Sequence, residues 1–288
     1  MTKKIRASSG VLVLLFGLGS LLLLYPGFAN WWNGMHQSRA IAAYAQQVSQ
    51  LTEADYTQYW DAAHAYNRLL AQGGADITQS YETLLDPTGS GVMGYLEIPA
   101  IDCVLPIRHG SSEAVLRAAV GHLDWSSLPV GGTSAHCVLS GHRGLPSAKL
   151  FTDLDKLVIG DVFHLQVLGT TLTYRVDQIL TVLPGETGEL RIKDGQDYCT
   201  LVTCTPYAIN THRLLVRGCR VETQVPEDTP PPADVPAPPP YRPDPALCLA
   251  LIFLLLLLLF LYLRRTSRRE NEAQSSCTTV NCQTKCNN

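Results

Sequence analysis

Residues 198–218 read YCTLVTCTPYAINTHRLLVRG, and this stretch indicates two β-strands joined by a short loop. Apolar and β-branched residues, which favour strands, dominate on both sides of the loop. Pro206 lacks a backbone N–H and therefore ends the first strand. If the two strands are antiparallel and residues 206–211 connect them, Arg213 lies beside Cys204. We therefore expect a hairpin that carries a thiol and a guanidinium at one end.

Short strand-like segments separated by turn residues, with this hairpin among them, fill most of the chain between residues 91 and 222. Seven or eight such strands predict a β-barrel or a β-sandwich, and the pattern alone leaves the choice between them open. Two short helical pieces interrupt them, at Ser112 to Val120 and Ser147 to Leu157. The strand-like segments are Met93 to Ile98, Ile101 to Ile107, Cys137 to Ser140, Val162 to Leu168, Thr171 to Leu183, Tyr198 to Thr203 and Leu214 to Val221.

The segment before the strands has a different pattern. From His36 to Gln72, apolar residues recur at spacings of three and four, which predicts amphipathic helix ended by Gly73-Gly74. Helices outside a β core serve most simply as a packing flank, and we expect that role here.

Two charge-free apolar runs, at residues 11–28 and 246–263, predict transmembrane helices. Basic residues precede the first run and follow the second, so both termini are expected in the cytoplasm and the middle of the chain outside. A cleaved signal peptide is the alternative for the first run. Residues 226–245 contain ten prolines and predict an extended spacer in front of the second run.

The composition argues against nucleic-acid binding. The net charge is −3 and the outer segment is acidic, whereas nucleic-acid binding needs a basic face. Five cysteines (Cys103, Cys137, Cys199, Cys204 and Cys219) fall in the outer segment, so at least one of them is unpaired.

Three residues have the chemistry of a nucleophilic enzyme. Cys204 ends an apolar strand, where a scaffold can present it to a substrate, although a free cysteine is more often a small buried apolar residue. His142 lies in a turn between two glycines and can exchange a proton near neutral pH. Arg213 can supply fixed donors to an oxyanion, or it can form a surface salt bridge. The histidines that compete with His142 are His122, His136 and His212.

Several strings resemble the sortase family, and specifically its class C, pilus-assembling branch. The resemblance covers about residues 36–222 and includes the flanking apolar runs. It is carried by SGHRGLPSAKLFTDLDKL at residues 140–157, LVTCTPYAINTHRLLVRG at 201–218, VMGYLEIP at 92–99 and SLPVGG at 127–132.

The resemblance implies a mainly β fold, a closed eight-stranded sortase barrel with N-terminal helices. It also implies a membrane-anchored cysteine transpeptidase that needs no cofactor, metal or nucleotide. Cys204 would attack the Thr carbonyl of a Leu-Pro-x-Thr-Gly-like sorting signal, Arg213 would hold the oxyanion, and His142 would protonate the leaving glycine amine. The acyl group would then pass to a lysine of another pilin. The substrate-groove candidates are Thr203, Thr205, Pro206 and His212.

The chain is predicted to have seven parts. They are a cytoplasmic head (1–10), a transmembrane helix or signal anchor (11–28), a helical flank with the lid region (29–90), the catalytic barrel (91–222), a proline-rich linker (223–245), a second transmembrane helix (246–263) and a basic, cysteine-containing tail (264–288).

One region departs from the class C pattern. Relatives often carry a lid whose Asp-Pro-aromatic motif plugs the active site, but the corresponding stretch here, GGADIT at residues 73–78, has neither proline nor aromatic residue. Asp76 is the candidate lid residue, and we expect a weakened or absent plug. Two rival functions remain: a housekeeping-type sortase that anchors surface proteins to peptidoglycan, and a non-catalytic scaffold that binds pilins.

Overall fold

The computed structural model describes residues 2–73 and 81–223, together with residues 249, 250, 253, 254, 257 and 261. The chain divides into two compact units, one comprising residues 29–241 and the other residues 1–28 with 242–288. The first unit contains all the strands and is described below.

Two long helices precede the strands, α1 (Thr2–Val48) and α2 (Glu53–Ala71). The second begins with a capping box, in which Thr52 accepts from the backbone N–H of Asp55 and Asp55 accepts from that of Thr52. The prediction of helix between His36 and Gln72 is confirmed. The last turns of α1 pack on the barrel through Tyr44, whose hydroxyl donates to the Met93 carbonyl at 2.9 Å and accepts from the Leu168 N–H.

Eight strands form one closed barrel in the order β1-β2-β3-β4-β7-β8-β6-β5. Because the sheet is closed, it has no free edges, and the fold is a barrel and not a sandwich. The strands are β1 (Val92–Ile98), β2 (Cys103–His109), β3 (Val120–His122), β4 (Ala135–Ser140), β5 (Val162–Val167), β6 (Thr170–Val182), β7 (Asp197–Thr205) and β8 (His212–Val221).

The strand directions bring three chain segments to one end of the barrel. β4 runs parallel to β7, and β7 runs antiparallel to β8. The ends of β4 and β7 therefore meet the beginning of β8, and we call this end the β4–β7–β8 rim. Side chains of all eight strands, with residues of α2, fill the interior.

Two local predictions differ from the structure. The strand β3 was not predicted, because three residues are too few to show a period. The helix predicted from Ser147 to Leu157 is wrong: only a 3₁₀ turn at Leu154–Lys156 forms there. Leu150 has φ of 38°, in the left-handed region that interrupts a right-handed helix. Within the other predicted piece, α3 spans Glu113–Leu116. The remaining short 3₁₀ helices are Tyr81–Thr83, Pro99–Ile101 and Gly188–Leu190.

Among the described residues, no helix combines the length and the apolar character that a membrane crossing requires. The transmembrane helices at residues 11–28 and 246–263 are therefore not confirmed and stay predictions. Most of the second segment lies outside the described residues, as do the linker from residue 224 onward and the tail.

Candidate active site

Cys204 lies where β7 leaves the barrel core. The strand is buried from Tyr198 to Thr203 and becomes half-buried at Cys204 and Thr205. The thiol is free, as are the other four cysteines of the described barrel. A rigid strand thus presents this thiol at the β4–β7–β8 rim.

Arg213 is the direct cross-strand partner of Cys204 in the β7–β8 pairing, as the hairpin prediction required. Paired residues of antiparallel strands have Cα atoms about 4.5–5.5 Å apart. The Nη1 of Arg213 donates to the carbonyls of Asn210 and His212 at 3.2 and 3.1 Å. The loop backbone therefore holds one side of the guanidinium.

His142 follows β4 on the other side of Cys204. The β4–β7 register pairs Ser140 with Val202, so two residues further along the strands come His142 and Cys204. Gly141 continues the pairing, since its N–H donates to the Val202 carbonyl at 3.0 Å. Adjacent strands lie about 4.8 Å apart, so the register brings His142, Cys204 and Arg213 to neighbouring backbone positions with Cys204 in the middle.

The three histidines that compete with His142 are held by hydrogen bonds to other groups. His122 and His136 are fully buried, and both nitrogens of each ring are hydrogen-bonded inside the protein. His212 is at the rim, where its Nδ1 lies 2.9 Å from the Thr211 hydroxyl. Burial lowers the pKa of His136, which disfavours its charged form.

A buried arginine ties the His142 turn to the end of β7. The side chain of Arg143 is 9% exposed, forms an ion pair with Asp155 and donates from Nη1 to the Thr205 hydroxyl at 3.4 Å. Its guanidinium carbon also lies 5.8 Å from the ring centroid of Tyr207. These contacts link the chain just after Cys204 to the residue next to His142.

A carboxylate also faces His142. The Oε2 of Glu113 lies 3.3 Å from the Nε2 of His142, and its Oε1 accepts from the Nε of Arg117 at 2.9 Å. Arg117, followed by His142, holds the pKa of Glu113 below its ordinary value. Sequence reasoning named neither Glu113 nor Arg143, because nothing in the spacing of the chain indicates that either would meet the other candidates.

The predicted groove residues occupy different environments. Thr203 is 2% exposed and its hydroxyl donates to the Gly141 carbonyl at 2.8 Å, so it points into the structure and ties β7 to the His142 turn. Thr205 and His212 are half-buried and Pro206 is exposed, all three at the rim. The candidate lid residue Asp76 lies outside the described residues.

The arrangement can support acyl transfer. A thiol between an imidazole and a guanidinium has a proton-transfer partner on one side and an anion-binding group on the other. In the part of the chain that the structure describes, no cluster of three or more His, Cys, Asp or Glu side chains is arranged to hold a metal ion.

Comparison with known proteins agrees with this chemistry. The family model "Sortase domain" matches residues 96–221. A crystal structure of sortase C1 from Streptococcus agalactiae is 49% identical and covers 64% of this chain and 98% of its own, with a TM-score of 0.61. The sortase C of Streptococcus pneumoniae, described for its catalysis and pilin substrate specificity, is 43% identical over 65% and 99%, with a TM-score of 0.60.

A third structure, Clostridium perfringens sortase C with the C-terminal cell wall sorting motif, is 44% identical and covers 64% of this chain and 98% of its own, with a TM-score of 0.58. Such identity over nearly the whole of the matched chains, together with the barrel and the family model, establishes the assignment. The chain belongs to the sortase family, and it is a class C sortase and a cysteine transpeptidase.

Proposed function

We propose that this sortase polymerises pilins, with Cys204 as its nucleophile, His142 as its general acid and base, and Arg213 as its oxyanion-binding group. The observation that carries the proposal is the strand register, which pairs Arg213 with Cys204 and carries β4 toward the same rim at His142. This register supports a site built from three separate segments of the chain.

The first half of the reaction cleaves the sorting signal. The Cys204 thiol passes its proton to His142 as its sulfur attacks the carbonyl carbon of Thr in a Leu-Pro-x-Thr-Gly-like signal, and Arg213 stabilises the negative charge on the carbonyl oxygen. When the Thr–Gly bond breaks, His142 donates a proton to the departing glycine amine. The products are a thioester on Cys204 and the released C-terminal fragment.

The second half forms the new bond. A lysine amine of another pilin attacks the thioester carbonyl, His142 accepts the proton that the amine loses, and the Cys204 sulfur leaves. The isopeptide bond replaces the peptide bond that was cleaved, so the exchange requires no external energy source or redox partner.

The rim has apolar surface suited to a peptide of this kind. Tyr207 and Ile209 of the β7–β8 loop and Leu183 after β6 are exposed, and β6 ends beside Arg213 in the β6–β8 register. An apolar surface beside the nucleophile fits the Leu-Pro portion of a sorting signal. Thr205, Pro206 and His212 would border it.

Two structural relatives support a pilin with a sorting signal as the substrate. One structural relative is described with a cell wall sorting motif, and another for its pilin substrate specificity. We extend both properties to this chain. With the predicted spans at residues 11–28 and 246–263, the barrel would lie outside the cell and be anchored to its membrane.

The test uses the full chain purified in detergent, a pilin that ends in a sorting signal, and a small amine that mimics the peptidoglycan acceptor. Polymer ladders with the parent protein would support pilin polymerisation. Product joined to the amine mimic without ladders would instead support the housekeeping function. We expect Cys204→Ala to lower the rate of either product at least about a thousandfold, because the nucleophile is removed.

A matched control is Cys219→Ala, which removes another half-buried thiol from the same hairpin at the end remote from Arg213. The control should form ladders at the parent rate. If Cys204→Ala still forms ladders while remaining folded, the catalytic assignment is overturned and the scaffold alternative gains support.

A further inference from the structure

Glu113 stands beside His142 although it comes from a distant part of the chain. Its carboxylate Oε2 is 3.3 Å from the imidazole Nε2, and the two residues are separated by 29 positions. The His142 side chain is 26% exposed and that of Glu113 is 61% exposed. The pair therefore lies at the mouth of the site, within reach of solvent.

The fold holds Glu113 in this place through a close contact between α3 and β3. Ser112 caps α3, with its hydroxyl accepting from the Val115 N–H. Gly121 of β3 lies against this helix: a Cβ on Gly121 would meet the Gly110 carbonyl oxygen and would lie 3.0 Å from Leu116 Cδ2. Only glycine permits so close an approach.

The same strand connects α3 to the catalytic rim. Gly121 pairs with Ser140 of β4, two residues before His142. The contact that fixes α3 is therefore directly beside the strand end that carries His142. The position of Glu113 relative to the imidazole is set by tertiary packing around Gly121.

We propose that Glu113 is a positioning residue for His142, an inference that rests on the proposed function. Its carboxylate holds Nε2, and this leaves Nδ1 as the ring nitrogen that exchanges a proton at Cys204. A hydrogen bond to a carboxylate is stronger than one to a neutral oxygen, so the Glu113 carboxylate fixes the orientation of the ring better than an amide would. The other carboxylate oxygen of Glu113, Oε1, accepts from the Nε of the exposed Arg117 side chain.

The expected effect is modest because the pair is partly exposed to solvent. Glu113→Gln keeps the shape of the side chain and removes its charge. We expect kcat for cleavage of a sorting-signal peptide to fall about fivefold with KM unchanged, since exposed ion pairs rarely contribute more. Glu113→Asp keeps the charge and should recover part of the lost rate.

Arg117→Gln is the matched control, because it breaks the ion pair between Glu113 and the C-cap residue of α3 but leaves the carboxylate beside His142. If Glu113 acted only by stabilising α3, Arg117→Gln would lower kcat as much as Glu113→Gln. We expect Arg117→Gln to retain at least half of the parent kcat. Equal loss in these two variants, or an unchanged kcat in Glu113→Gln, would overturn the inference.

The two hypotheses can fail separately in this experiment. Peptide cleavage by the parent protein and its loss in Cys204→Ala test the proposed function. The ratio of kcat between Glu113→Gln and the parent tests the role of Glu113, and it does not depend on whether the final acceptor is a pilin or a peptidoglycan amine.

Discussion

Gly141 connects β4 to His142, and the ring of Phe151 leaves no room for a side chain there. A Cβ on Gly141 would lie 2.6 Å from Cδ2 and 2.9 Å from Cγ of Phe151. Carbon atoms in favourable contact are about 3.5–4.0 Å apart. Gly141→Ala therefore requires either the ring or the His142 turn to move by about 1 Å.

The ring has little freedom to move. Phe151 is fully buried, and its backbone N–H donates to the His142 carbonyl at 3.0 Å, so the two groups that would clash are also tied together. Overpacking of this kind costs about 1–3 kcal/mol of folding free energy. A shift of about 1 Å in a catalytic group can lower the rate by about a hundredfold. We expect Gly141→Ala to lose activity far out of proportion to its loss of stability.

Urea unfolding measures the loss of folding free energy. The kcat for peptide cleavage is then measured without urea, where the variant is folded. A second substitution, Phe151→Leu, makes space for the new methyl group. We expect it to recover part of the rate in the Gly141→Ala background, although it lowers the rate or stability of the parent by itself. A double-mutant cycle isolates this interaction. Parent-like stability and kcat in Gly141→Ala would refute the reasoning.

Two further predictions concern buried polar groups. Thr203→Val removes the buried bond to the Gly141 carbonyl and should lower the free energy of unfolding by about 1–3 kcal/mol in urea melts, so an unchanged melt would contradict the role assigned to that bond. Burial lowers the pKa values of His109, His136 and His164 below the ordinary value, so the unfolded state binds more protons as the pH falls below about 6.5. Stability should therefore fall between pH 7.5 and pH 5.5, and a constant free energy of unfolding over this range would contradict the assignment.

Local sequence patterns were sufficient to predict the strands of the hairpin and the helices before the barrel. Seven of the eight strands were predicted near their observed positions, because each contains a short run rich in β-branched and aromatic residues that is bounded by turns. Strand β3 was not predicted, because three residues are too few to show a strand pattern. The helix predicted at Ser147 to Leu157 failed because the backbone turns left-handed at Leu150, which no helical periodicity reveals.

The candidate site was predicted in part for a similar reason. The hairpin places Arg213 opposite Cys204 within one local motif, so residue spacing alone indicated the pair. His142 was chosen from the glycine-rich turn and the resemblance, with three other histidines in competition. The structure separates two of them from His142, since His122 and His136 are buried in internal hydrogen bonds, whereas His142 follows the strand next to β7 and His212 also lies at the rim.

Residue type and spacing alone identified the candidate residues: a thiol at a strand end, a guanidinium nine residues later and an imidazole between glycines. Closure of the barrel, the parallel pairing of β4 with β7 and the contact between Glu113 and His142 were decided by the tertiary structure. These features depend on contacts between segments far apart in the chain, such as β1 and β5, where Tyr95 pairs with Gln166. Such contacts form through register and close packing, as at Gly121 and Gly141, and neither leaves a periodic signal in the sequence.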